Sequence, residues 1–438
     1  NNLKDKLKSL RFYKFYNGLL VMRKLLILSL LFMVSGCASF GRGVAEAIIN
    51  DKKEDTRQCE IQGSPLPGID DLFKNKQVVK VMMVHGVGTH TPGYATRIRE
   101  NLALKLGLDV FSRRDKDITL IDPDDRKTVI GNLRVTRMQN EEASKDLIFY
   151  ELTWSVNTSV QKRILDYDTS GLYEHKRAAF NHTLKKFLDD VIPDPEIYVT
   201  DKNNYILKAT QQATCWMLSR SWSQLKPEEK QVCRVSSFNQ MKDLSRDNII
   251  FITHSLGSKI LMDSLTDMVS TVAAVEARPD MAQSPKVRPI IEELKNKEMT
   301  VFMLANQLPL LQIAGAKPQV TGQIRSYCRP KGKNYGYRVF KQVNIVAFSD
   351  PNDLLSYGIN QDFVDNYMDS RMCPSVTNVN INIAEEISVF GAGVVNPVTA
   401  HTEYDNDTRG IEMIAKGTEN FKQNELLSKR CRFTHLKN

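Results

Sequence analysis

The stretch IIFITHSLGSKIL, Ile249 to Leu261, decides how this chain is read. Its first half is an apolar, β-branched run that predicts a buried strand, and its second half predicts the start of a helix. Ser255 stands at the joint, with His254 before it and Leu256 and Gly257 after it. A strand that ends in a hydroxyl and turns straight into a helix has the pattern of a nucleophile elbow, G-x-S-x-G. The pattern needs small residues because the turn is tight and holds the serine in a costly backbone conformation. Thr253 replaces the first glycine, which brings a Cβ and a methyl into the crowded turn.

A second stretch, VMMVHGVGTH from Val81 to His90, ends an apolar run in His85, Gly86, Val87 and Gly88. Glycines let the backbone come close to a reacting group. An oxyanion is met by preorganised amide N–H groups, each worth about 100- to 1000-fold in rate. The N–H groups of Val87 and Leu256 are the expected pair. His85 and His90 are expected to be structural, because no HExxH or matching carboxylate pattern makes them metal ligands, and no metal is expected.

Further apolar runs follow at VVKVMMV (78–84), DLIFYELTW (146–154), NIIFIT (248–253), MTVFML (299–304) and VNIVAF (343–348), with an alternating run VNINI at 379–383. Buried strands separated by helical segments predict an α/β fold with a mostly parallel sheet covered on both faces. Residues 113–139 predict a hairpin around DPDD. The roughly 90 residues from about 156 to 246 exceed an ordinary connection and predict a helical insertion, a possible cap. Ile206, Ala209, Ala213 and Trp216 fall at helical spacing, as do Leu184, Phe187, Leu188 and Val191, the latter stopped by Pro193 and Pro195.

With these motifs in order, the chain resembles the serine esterases and lipases of the α/β-hydrolase superfamily over about residues 77–405, the insertion excepted. That resemblance implies a catalytic acid and then a base after the nucleophile. Of the seven histidines only His401 and His435 follow a late acid, and His435 lies three residues from the chain end, so His401 is the expected base. Asp350 and Asp353 both follow the strand VNIVAF. The DLLS stretch resembles the esterase loop that carries the acid before two apolar residues, which favours Asp353 with Asp350 as the alternate. The implied activity is cleavage of a carboxylic ester or lipid without a cofactor. The alternative is a non-catalytic binding module on the same fold, to which Thr253 lends support.

The net charge of +9 belongs to the start of the chain. The first 36 residues hold seven Lys or Arg and one acid, Asp5, and the remainder carries 53 basic against 50 acidic residues. A near-neutral remainder argues against nucleic acid as a partner. Met22, Arg23 and Lys24 precede the short apolar run Leu25 to Val34 and then Ser35, Gly36 and Cys37, which has the order of an export signal. Val34 to Cys37 resembles the lipobox of bacterial lipoproteins, which implies lipidation at Cys37. Ala38 then implies an envelope protein held at the outer membrane. The organisation expected is an upstream segment and a lipoprotein signal over 1–36, a tether over 37–76 and a hydrolase domain over 77–438. Setting Cys37 aside leaves six cysteines, an even number in an exported chain, which predicts disulfides; sequence proximity favours Cys215 with Cys233.

Overall fold

A computed structural model describes residues 57–434 apart from 77, 111–114, 171, 173–176, 228–229, 235–243, 314 and 390–391. Cys37 and His435 lie outside the described residues.

Six parallel strands form the centre of the sheet: β2 (Val78–Val84), β6 (Asp146–Thr153), β8 (Asn248–His254), β9 (Glu298–Leu304), β10 (Gln342–Ser349) and β11 (Pro374–Ile381). They lie in the order β11-β10-β9-β8-β2-β6. Beyond β6 the hairpin of β5 (Val129–Gln139) and β4 (Lys116–Ile121) adds antiparallel strands, and the short β7 (Lys230–Gln231) pairs with β4. The two-residue strand β3 (Asp109–Val110) pairs with β5. Val79, Val81 and Met83 of β2 pack into one core while Met82 and Val84 pack into the other, so helices cover both faces and the apolar runs have no solvent side. Lys80 is buried in the same strand, where its ammonium meets Asp247 at 2.7 Å and donates to the carbonyl of Met217.

The other edge of the sheet departs from the sequence reading. Residues 59–76 are not a tether. Cys59–Gln62 forms β1, antiparallel to β11, and Asp70–Lys76 forms a 3-10 turn that buries Phe73. A last strand, β14 (Cys431–Thr434), pairs with β1. A separate hairpin joins β12 (Ile387–Val389) and β13 (Ala392–Val394). The strand predicted at 379–383 begins earlier, at Pro374, where proline is tolerated as a first residue.

The insertion divides in two. Helix Tyr205–Ser219 lies on the sheet and buries Ile206, Ala209, Ala213 and Trp216 in the core. Helices Val156–Lys162, Ala179–Val191 and Pro193–Thr200 stand further out, and Phe187 remains exposed. Pro193 opens the last of these helices at a position where a missing N–H costs nothing.

Among the described residues there are three disulfides, Cys59–Cys431, Cys215–Cys233 and Cys328–Cys373. The first straps together the two edge strands. Because it closes a loop of 372 residues against 18 for Cys215–Cys233, removing it with paired Cys→Ser changes should cost more stability, about 3 to 5 kcal/mol against about 3 or less. Urea unfolding of the two double variants checks this, and a reversed ranking would remove Cys59–Cys431 as the main covalent brace.

Candidate active site

After β2 the chain moves to one side, to β6, and later returns as β8 on the other side of β2, continuing outward through β9, β10 and β11. The order reverses between β2 and β8. In open parallel sheets such a reversal leaves a crevice at the carboxyl ends of the strands. The loop His85–Gly88 and the corner at Ser255 both open onto it.

Ser255 has φ of +55°, in the left-handed region that a side chain rarely occupies. Its own N–H donates to the Leu304 carbonyl at 2.9 Å, and helix Gly257–Glu276 starts two residues later. A Cβ at Gly257 would lie 2.4 Å from the Val84 carbonyl oxygen, and one at Gly86 would lie 2.7 Å from the Ser255 Cβ. Both positions therefore require glycine. Thr253 fits where the pattern has its first glycine, because its hydroxyl lies 3.1 Å from that of Ser258 and is fully buried with it.

Ser255, His401 and Asp353 meet. The His401 Nε2 lies 3.1 Å from the Ser255 Oγ, and its Nδ1 lies 2.9 Å from both carboxylate oxygens of Asp353. The geometry distinguishes the two candidate acids. Asp350 faces away from the imidazole and accepts from the N–H groups of Asn352, Ile383 and Ala384, knotting the loop after β10 to the end of β11. Burial alone would raise the Asp353 carboxyl, but the hydrogen bond with His401 and the charge of that ring outweigh it and hold the group below the usual carboxylate range.

The histidines set aside in the sequence are structural. His85 Nδ1–H donates to the Gly86 carbonyl at 2.8 Å, its Nε2 accepts from the Trp154 N–H, and the ring stacks on Trp154. His90 Nε2–H donates to the Val87 carbonyl at 3.2 Å. Burial keeps both rings neutral. The carbonyls on either side of the Val87 N–H are thus occupied. Among the described residues neither the Val87 N–H nor the Leu256 N–H has a hydrogen-bond acceptor.

One residue of the site carried no role in the sequence. His254, beside Ser255, donates from Nε2 to the main-chain carbonyl of His401 at 2.8 Å and so holds His401 by its backbone. Only its place next to Ser255 pointed to it. Among the described residues no group of three His, Cys, Asp or Glu could hold a metal ion, and no helix is long and apolar enough to cross a membrane.

Ser255 is 0% exposed, so the crevice is closed over its hydroxyl. A crevice of about 690 Å³ is lined by Asp70, Lys105, Glu412 and Lys429 and contains no residue of this cluster. A second, of about 490 Å³, lies between the insertion and helix Gly257–Glu276, with Tyr198, Lys259, Met262, Leu308 and Met368 in its walls. It starts one turn beyond Ser255. No family model, curated protein or solved structure matches the chain.

Burial, then the neighbouring His401, pushes the His254 imidazole down to about 3. The unfolded chain binds a proton at His254 below about 6.5 that the folded chain refuses, so stability should fall as pH drops from 6.5 toward 3, by up to about 1.4 kcal/mol per pH unit from this group. His254→Gln keeps a donor for the His401 carbonyl. Its urea-derived stability should lose close to one proton of this pH dependence, and an unchanged slope would show that His254 is not buried neutral.

Proposed function

We propose that the chain is a serine hydrolase that cleaves carboxylic esters through an acyl-enzyme. The observation that carries this reading is the contact of His401 with both Ser255 and Asp353, three residues far apart in the chain. Asp353 fixes the imidazole with its proton on Nδ1. His401 takes the Ser255 proton at Nε2 as the hydroxyl attacks the ester carbon, and then gives that proton to the leaving alcohol. The N–H groups of Val87 and Leu256 receive the negative charge that develops on the carbonyl oxygen. Water repeats the sequence on the acyl-serine and releases the acid.

Several features favour an apolar acyl substrate at a lipid surface. Leu354 and Leu355 follow Asp353 and are exposed, as is Val398, three residues before His401. The cavity beside helix Gly257–Glu276 supplies Met262, Leu308 and Met368 as apolar wall. Cys59 pairs with Ile381 at the carboxyl end of β11, so the chain enters the fold at the same edge as Ser255. Lipidation at Cys37, roughly twenty residues before this entry, would hold that edge within about 80 Å of an envelope membrane.

Complete burial of Ser255 favours the second reading, a binding module with an inert hydroxyl. A fluorophosphonate probe separates the two. In an active enzyme it labels the wild type at Ser255 and spares Ser255→Ala, which loses ester hydrolysis while keeping its fold. Asp353→Asn should lower kcat by about 10³- to 10⁴-fold through the wrong imidazole tautomer, whereas Asp350→Asn should act mainly through stability. Unlabelled wild type, or full turnover by Ser255→Ala, would overturn the enzyme reading.

A further inference from the structure

On the hydrolase reading above, we infer that Asp194, Asp190 and Lys162, all from the outer helices of the insertion, are positioning residues for the oxyanion loop. The Gly88 N–H donates to Asp194 Oδ2 at 2.6 Å, and Asp194 is 0% exposed. The next residue is held as firmly. Thr89 donates to Asp190 from its N–H at 2.9 Å and from its hydroxyl at 2.6 Å. Lys162 closes the cluster, with its ammonium 3.1 Å from Asp190 Oδ1 and 2.8 Å from Asp194 Oδ1.

These contacts fix a peptide plane. The Val87–Gly88 peptide gives its N–H to Asp194 and its C=O to His90, so it is held at both ends. The preceding peptide has its C=O held by His85. A trans peptide directs its N–H opposite its C=O, so the direction of the Val87 N–H is set by the two planes around it. Gly88 has φ of +96° and passes so close that a Cβ there would lie 3.3 Å from Asp190 Oδ2. The loop owes its shape to the insertion as much as to β2. A carboxylate pair near a forming oxyanion would oppose it, and Lys162 offsets that charge while leaving both acids free to accept.

The test is a kinetic comparison on a p-nitrophenyl ester, with affinity for a trifluoromethyl ketone as the oxyanion readout. Asp194→Ala should lower kcat by about 10- to 100-fold with KM within about twofold, and should weaken the ketone by the same factor as kcat/KM. Asp194→Asn retains an acceptor for the Gly88 N–H and should recover part of the loss. Where Asp194→Ala fails to fold, Asp190→Ala decides, since that side chain is 40% exposed; its kcat should fall several-fold in the same pattern. Asp168→Ala, in the insertion but paired with Arg177 and Lys185, should leave kcat and ketone affinity unchanged. Folded Asp194→Ala or Asp190→Ala with wild-type kcat and ketone affinity would overturn the inference while leaving the hydrolase reading intact. Wild type that fluorophosphonate does not label at Ser255 would remove that reading and this one with it.

Discussion

Ser255 keeps a left-handed backbone because separate contacts over-determine it. Such a conformation costs on the order of 1 to 3 kcal/mol for a residue with a side chain. The corner is held by the hydrogen bond from Ser255 to Leu304 and by the close approach of Gly257 to Val84. Both partners belong to neighbouring strands, so the strain is stabilised by the packed sheet and not by the turn itself. That arrangement orients the hydroxyl toward the crevice where β2 and β8 diverge. The segments after β2, β10 and β13 can then reach it, and with them come the Val87 N–H, Asp353 and His401.

His401 is held from two directions. Its Nδ1 is fixed by Asp353, and its main chain by His254. Asp353 is in turn placed by a loop that Asp350 ties down. One aspartate addresses the imidazole and its neighbour three residues earlier addresses backbone, although their surroundings in the sequence are alike. Burial makes the division necessary, because a carboxylate out of water needs partners for its lone pairs. Asp350 finds them in the N–H groups at the end of β11, and Asp353 in His401 and the Leu355 N–H.

How much of this was legible follows the range of the forces involved. The central strands and the elbow announce themselves because burial on both faces demands continuous apolar residues, and because the corner demands Gly257. Ser255 and Asp353 could be named because each lies just past a strand of that kind, and His401 only by elimination among the histidines on the order that the resemblance implies. The edge strands β1 and β14 could not. CEIQ and CRFT are four residues each, and they are strands only because β11 and the Cys59–Cys431 bridge hold them. A polar stretch with a proline-rich segment therefore read as tether up to Lys76. The insertion was located, but its periodicity could not separate the helix that covers the sheet from those that stand over the site. Thr253 looked like a defect in the motif until the partner of its hydroxyl, Ser258, was known.

The acids at 190 and 194 were the least legible residues, for an instructive reason. Asp190 is one charge on an amphipathic helix and Asp194 an acid in the first turn of the next, where a solvated side chain is the ordinary expectation. Their partners are backbone N–H groups about one hundred residues earlier, and a backbone N–H leaves no mark in a sequence. The cost of burying Asp194 is offset by a lysine on a third helix and by an amide that would otherwise lack a partner. Polar burial of this kind stabilises a fold little on balance, and its effect is instead to select one geometry among several close ones. An oxyanion site depends on such selection, since donors aimed before the charge appears need no rearrangement when it does. The outer helices of the insertion, which add little to either hydrophobic core, are thereby coupled to the one loop whose direction matters to the proposed reaction.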